Sequence, residues 1–319
     1  MTEQNHIVVI GAANADITGI STNPLKLNES NPGKINMGAG GVGRNIADNF
    51  ARLAQNDQIT TYLLSAIGDD LYGKMVSEQS RQAGIDLSHC KICPDAATAT
   101  YFSIVGHTGE MSSAINDMQI VEQIDVDYLT SKAALINQAK LIVLDANLDQ
   151  TAIDYICQNF HHIPIFADTV SAAKAAKFSA HIKSIFCLKP NINEAEILAG
   201  SMVNGQDDFE HIAAFFHQQG LQRLYITLGA KGIYSSVQDN AGICAEFVAA
   251  FTGEISNVNG AGDAFMAGLL YAFINKKTQS EQIQFAQACA FFTAQSEFTI
   301  NKNLNFEAVT KLMESQNDQ

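Results

Sequence analysis

The chain has 319 residues, 47% of them hydrophobic and 16% charged, which excludes a disordered or fibrous protein and allows a sizeable core without staples. Lys and Arg number 19 and Asp and Glu 33, a formal charge of −14 that argues against nucleic acid or an anionic membrane as the main partner. An anionic small substrate stays open, because backbone N–H groups and a metal ion can hold one locally.

In chain order, His6-Ile-Val-Val-Ile10 reads as a first strand ending at Gly11. Ile46, Ala47, Phe50 and Leu53 recur at helical spacing, predicting an amphipathic helix over residues 44–53. Residues 60–67 read as one further buried strand, and 140–144, 163–167, 184–188 and 223–227 follow the same plan. Helical patterns lie between them over 151–160, 172–178, 193–198 and 209–218. Continuous apolar strands interleaved with helices predict an α/β fold whose mostly parallel sheet is covered on both faces. Residues 18–37 and 97–115 break this rhythm and read as a small antiparallel sheet, a lid over an active site. The whole of 1–319 is expected to be a single domain carrying that lid.

The six cysteines, Cys90, Cys93, Cys157, Cys187, Cys244 and Cys289, lie scattered in apolar surroundings and predict reduced thiols. Cys90-Lys-Ile-Cys93 has no second pair and no histidine cluster beside it. The opening Met1-Thr2-Glu3-Gln4 carries no basic leader, and no apolar run approaches the roughly 18 residues of a membrane span. A soluble cytoplasmic protein is expected.

The sharpest chemical signal is Asn257-Val-Asn-Gly260-Ala-Gly262-Asp263, followed by a run apolar on every face up to Ile274. Two glycines at the mouth of a buried helix let backbone amides approach a ligand as an anion hole, with the Asp263 carboxylate beside a substrate hydroxyl. An ordinary helix cap explains Asp263 equally well. Thr227-Leu-Gly229-Ala-Lys-Gly232 follows a strand and suits a turn against a nucleotide, or a plain hairpin. Lys189-Pro-Asn191-Ile-Asn193-Glu194 places Glu194 at the carboxyl end of a strand, where ligands of open parallel sheets bind. Glu194 could there hold water on Mg²⁺, or merely favour the first turn of a helix. Gly38-Ala-Gly40-Gly41-Val-Gly43 fits a dinucleotide fingerprint, but the preceding residues 30–37 are polar and turn-rich rather than a buried strand. That loop suits Asn45 reaching a polyhydroxylated substrate, with Asn14 and Asp16 in the same region. No P-loop, H-E-x-x-H or G-x-S-x-G motif occurs, and the histidines show no ligand spacing.

These elements occur in the order and spacing of the ribokinase-like (PfkB) carbohydrate kinases, which the sequence resembles from about Ile7 to Val309. The family's Gly-Gly signature looks like Gly40-Gly41 with Asn45, and its D-T-x-G-A-G-D signature resembles residues 257–263. Its N-x-x-E motif is similar to Asn191 through Glu194, and its nucleotide turn to Thr227 through Gly232. The resemblance implies a three-layer ribokinase-like sandwich that moves a phosphoryl group from ATP to a sugar hydroxyl. It implies Asp263 as base and Gly260, Ala261 and Gly262 as the anion hole. Asn14, Asp16, Gly40, Gly41, Asn45, Asn116 and Asp145 then hold the acceptor, Asn191, Thr227, Gly229, Gly232 and Gln287 the nucleotide, and Glu194 the Mg²⁺ through water.

Within the family, Ser30-Asn-Pro-Gly33, Gly40-Gly-Val-Gly-Arg-Asn45, Ala114-Ile-Asn-Asp-Met118 and Asp168-Thr-Val-Ser-Ala-Ala-Lys174 resemble the branch whose acceptor is pseudouridine. Two departures stand out. Asn257-Val258 replaces the usual Asp-Thr, which puts a K⁺ dependence in question, and the Gly-Ala usual near Thr299-Ile300 is missing, which leaves the adenine pocket undefined. A ribokinase or another nucleoside kinase, a non-catalytic sugar-binding regulator and an NAD-dependent oxidoreductase are the competing readings. The apolar face expected on the lid predicts a homodimer joined through it.

Overall fold

The computed structural model describes residues 5–317. Its strands are β1 (His6–Ile10), β2 (Asn14–Ser21), β3 (Gly33–Gly40), β4 (Thr60–Leu64), β5 (Ala66–Gly68), β6 (Ile85–Asp86), β7 (Lys91–Cys93) and β8 (Thr100–Val105). They continue as β9 (Met111–Asp117), β10 (Ile142–Asp145), β11 (Ile165–Asp168), β12 (Cys187–Lys189), β13 (Arg223–Thr227), β14 (Ile233–Asp239) and β15 (Gly242–Val248). Nine of them form one sheet in the order β15-β14-β13-β12-β11-β10-β1-β4-β6. Pairing is parallel from β13 to β6, and only β14 and β15 run antiparallel at the edge.

Alternation along β1 explains why it is apolar from Ile7 to Ile10. Ile7 and Val9 pack on one face with Ile46, Phe50, Leu269 and Leu270, while Val8 and Ile10 pack on the other with Ile153, Phe178 and Phe216. Helices therefore cover both faces, and neither face of the strand can be polar. The helix Val42–Leu53 and the helix Ala261–Ile274 lie together on the first face. Expected helices appear at Gln150–Asn159, Ile192–Ala199 and Asp207–Gln218. Residues 172–178 depart from expectation: only Ala172–Ala175 is α-helical, and Ala176–Ser184 tightens to a 3₁₀ helix.

The single strand expected over 60–67 is two. Ser65 is fully buried, and its carbonyl turns away to accept Lys91 N at 2.8 Å and Cys90 Sγ at 3.2 Å. Beyond that break β5 leaves the main sheet and pairs with β7. Cys90 and Cys93 are free thiols, and burial pushes the Cys90 thiol up to about 12, so no reactive thiolate arises there.

A separate sheet in the order β3-β2-β8-β9 stands where the small sheet was expected. It is wider than expected, reaching Asn14 at one end and Asp117 at the other, and β2 pairs parallel with β8. Met37, Ile17, Phe102 and Ile115 form one cross-strand row, and Gly38, Asp16, Tyr101 and Asn116 form the adjacent row. Adjacent rows point to opposite faces, so one face is apolar and the other polar. Ile17 is buried, but Ile35 and Ile115 are 66% and 72% exposed, so among the described residues much of the apolar face is uncovered. Among the described residues no helix is long and apolar enough to cross a membrane.

Candidate active site

The carboxyl ends of the central strands converge beneath the small sheet. On the face of the sheet that bears Val143, Phe166 and Cys187, the next inward positions along β10, β11 and β12 are Asp145, Asp168 and Lys189, in register with one another. Three apolar rows thus end in a charged one. Above it sit the first turns of the helices Val42–Leu53 and Ala261–Ile274.

Gly260 caps the second helix with φ 80°, and a Cβ there would strike the Thr299 carbonyl oxygen, so the turn requires glycine. No side chain caps this helix; Ala261 N donates to Val258 O at 3.3 Å, and the amides of Gly262 and Asp263 are left facing the site. Asp263 is therefore not a cap. It lies three residues inside the helix, and its Oδ2 accepts Asn45 Nδ2 at 2.9 Å. Desolvation pushes its carboxyl up to about 8; Asp168 and Asp145 add to the rise, and Asn45 and Lys189 oppose it.

On the acceptor side, Asn14 is buried and donates to Asp16 Oδ1 at 2.6 Å. Burial raises the Asp16 carboxyl, against the pull of Asn14 and Arg44. Gly40 ends β3 beside the Asp16 carboxylate, and Gly41 leads into the helix that carries Asn45. Asn116 shares a row with Asp16 but is exposed on β9, two strands away. The sequence expectation for Asp145 needs correction. Its side chain is fully buried, and its carboxylate accepts Ala12 N at 2.9 Å, Gly43 N at 2.7 Å and Asn147 N at 2.8 Å. Asp145 clamps the segments at Ala12 and Gly43 and presents no surface to a ligand. The strand before Gly40 exists, but as an exposed strand of the small sheet, so the glycine run is no dinucleotide fingerprint.

On the opposite side, Asn191 and Glu194 form a reciprocal capping box at the start of the helix Ile192–Ala199. Asn191 is spent on that box through its side-chain oxygen and nitrogen alike. Glu194 Oε2 accepts Asn191 N at 2.8 Å and the Thr169 hydroxyl at 2.5 Å, while Oε1 accepts only Asn191 Nδ2 at 2.7 Å. One lone pair on Oε1 is left for a water, which fits a metal held through water. Among the described residues no group of three or more His, Cys, Asp or Glu could hold a metal ion.

Thr227 bridges to Asn191, with its amide donating to Pro190 O at 2.9 Å. The turn after it is a hairpin closed by Leu228 N on Gly232 O at 2.9 Å. A Cβ on Gly232 would strike the Val248 carbonyl, the same oxygen that Gln287 Nε2 reaches at 3.1 Å, whereas a Cβ on Gly229 would meet open space. Thr227, Gly232 and Gln287 thus gather at the end of β15.

Three side chains escaped the sequence reading. Lys189 is only 7% exposed, and its Nζ lies 3.0 Å from Asp168 Oδ2. Burial would pull its pKa down, but Asp168, Asp263 and Glu194 hold it above the ordinary lysine value. Arg44, also buried, pairs with Asp48 at 2.5 Å and donates to Ala39 O on β3 at 3.2 Å and to Ser80 Oγ at 3.3 Å. It ties the small sheet to two helices.

Residues 4–305 match the pfkB family of carbohydrate kinases. The chain belongs to that family. It is 40% identical to the pseudouridine kinase of Escherichia coli (strain K12), over 99% of this chain and 98% of the relative. Among solved structures, a carbohydrate kinase from Agrobacterium tumefaciens superimposes with a TM-score of 0.80 at 26% identity, covering 97% of each chain. An Arabidopsis thaliana ribokinase complexed with ribose and ATP gives a TM-score of 0.84 at 22% identity, covering 97% of this chain and 98% of its own. The fold is accordingly the ribokinase-like sandwich, and the pfkB membership makes the protein a kinase of sugars or nucleosides.

Proposed function

We propose that this pfkB kinase transfers the γ-phosphoryl group of ATP to the 5′-hydroxyl of pseudouridine, giving pseudouridine 5′-phosphate and ADP. The observation that carries the chemistry is Asp263, a raised carboxyl held by Asn45 at the mouth of an uncapped helix. The identity to the Escherichia coli pseudouridine kinase favours that acceptor. Asp263 takes the proton of the 5′-hydroxyl as its oxygen bonds to the γ-phosphorus. The bond from that phosphorus to the β–γ bridging oxygen breaks, and its electron pair leaves with ADP. Amides of Gly262 and Asp263 stabilise the charge on the transferring group, since phosphoryl transfer asks mainly for positioning and electrostatics. Asn14, Asp16 and the Gly40–Gly41 turn hold the ribose hydroxyls, and Asn116 lines the polar face of the lid. Thr227, Gly229 and Gln287 face the nucleotide. Mg²⁺ fits beside Glu194 through water, where it would neutralise phosphate charge. The protein acts as a cytoplasmic homodimer joined through the apolar lid faces.

Asp263→Asn tests the assignment. As loss of a general base it lowers kcat by at least about 10²-fold with ATP affinity unchanged. Near-normal turnover in that variant would remove Asp263 from the chemistry.

A further inference from the structure

The charged row at the strand ends contains a cation that the proposed chemistry does not yet use. Lys189 is nearly buried, faces Asp168 at 3.0 Å, and also feels Asp263 and Glu194. Its Nζ lies 3.3 Å from where a Cβ on Gly262 would stand, so the ammonium reaches the first turn of the helix Ala261–Ile274. A cation is out of place at the positive end of a helix dipole unless an anion is to come between them. Burying an ion pair is seldom justified by stability, because desolvation consumes much of its Coulombic gain.

The local backbone is shaped around this pair. Val170 adopts φ 62°, a left-handed conformation unfavourable for a β-branched residue, and its amide donates to Asp168 Oδ1 at 2.9 Å. Asp168 Oδ2 is left to face Lys189. Thr169 then reaches both Lys189 O at 3.3 Å and Glu194 Oε2. A strained turn therefore holds the counter-ion of one lysine beside the anion hole.

We propose that Lys189 is a second catalytic residue, whose ammonium bonds a non-bridging oxygen of the transferring γ-phosphoryl group, and that Asp168 is its positioning residue. This rests on the kinase reading above. As the phosphorus passes from the β–γ bridging oxygen to the acceptor oxygen, Lys189 stays protonated and stabilises equatorial charge, while Asp263 alone takes the proton.

The test compares Lys189→Gln, Asp168→Asn and the double variant, each checked for folding by circular dichroism. Two readouts are taken: pseudouridine-dependent ADP release, and the affinities for AMP-PNP and ADP by calorimetry. Lys189→Gln should lose roughly 10²–10³-fold in kcat, as for a missing oxyanion donor, with little change in the KM for pseudouridine. Its preference for the triphosphate analogue over ADP should fall roughly tenfold. The double variant restores a neutral buried pair, so a merely structural role predicts rescue of turnover, and the proposal predicts none. Rescue by the double variant, or wild-type kcat with an unchanged analogue-to-ADP preference in Lys189→Gln, overturns it. If the wild-type protein does not phosphorylate pseudouridine, the functional reading falls, and the analogue-to-ADP preference still decides the role of Lys189.

Discussion

Asp145 links the proposed acceptor floor to the sheet, and replacing it has a cost that the structure allows to be worked out. Its two oxygens take the amides of Ala12, Gly43 and Asn147. The fit is tight: a Cβ on Gly43 would lie 2.9 Å from Gly11 Cα and 3.0 Å from Asp145 Oδ2. Asp145→Asn keeps one oxygen for Ala12 and Gly43 but turns its NH₂ toward the amide of Asn147. One buried donor then lacks an acceptor, at about 1–3 kcal/mol. Asp145→Ala strips all three, and additive losses would reach roughly 3–9 kcal/mol, a large part of the 5–15 typical of a folded protein. Desolvation of the carboxylate, which raises its pKa, offsets some of that gain, so the lower half of the range is expected. Urea unfolding of the wild type and both variants measures this directly, and the order should be wild type, then Asn, then Ala. Because the clamped loops carry Asn14 and Asn45, the KM for the acceptor should rise in Asp145→Asn. An Ala variant as stable as the wild type would refute the clamp.

Four further outcomes follow from the same geometry. Only ionised Asp263 can accept a proton, so kcat/KM should climb with pH to a midpoint well above the ordinary carboxylate value of 3.8, toward about 8; a midpoint near 4 contradicts this. Stability runs the opposite way: the folded state holds the Asp263 proton more tightly than the unfolded chain, so stability falls as pH rises through that window. Asp263→Asn, which cannot ionise, should therefore raise Tm more at pH 8 than at pH 5, and an equal shift at both would be inconsistent. Asn257 carries no charge; its Nδ2 donates to Glu297 O at 3.2 Å and its Oδ1 accepts Asn259 N at 2.9 Å, bridging the loops directly. Exchanging K⁺ for tetramethylammonium should accordingly leave kcat unchanged, and strong K⁺ activation would show the bridge to be insufficient. Ile115→Lys places a charge at the exposed end of the Met37–Ile17–Phe102–Ile115 row and should convert a dimer to monomers by light scattering; a wild-type mass that is already monomeric would remove the lid interface.

Local signals in the sequence carried much of this. Apolar runs marked the central strands because both faces are covered, and the glycines of residues 257–263 marked the anion hole because close backbone approach is a property of the segment itself. What the sequence hid depends on strand order. Asp168 and Lys189 are 21 positions apart and become partners only because β11 and β12 are neighbours in register. A trace was present all the same: β10, β11 and β12 each end an apolar run in a charged residue, Asp145, Asp168 and Lys189. The family resemblance gave Asp145 and Asn191 ligand roles, and a carboxylate or amide at a strand's end looks alike in sequence whether it faces a ligand or the backbone. In the structure both side chains make their hydrogen bonds within the protein. Arg44, which stands among the small residues at the start of its helix, was a signal of the same kind, since a buried guanidinium must find partners.

The central claim is the acceptor. ADP release should be followed with pseudouridine, uridine, adenosine, ribose and fructose 6-phosphate as separate acceptors, with the product of the best examined by phosphorus NMR. The account predicts that pseudouridine gives the highest kcat/KM, and that its product carries phosphate on the 5′-oxygen. A preference for ribose or another nucleoside, or ADP release no faster than without acceptor, would contradict it.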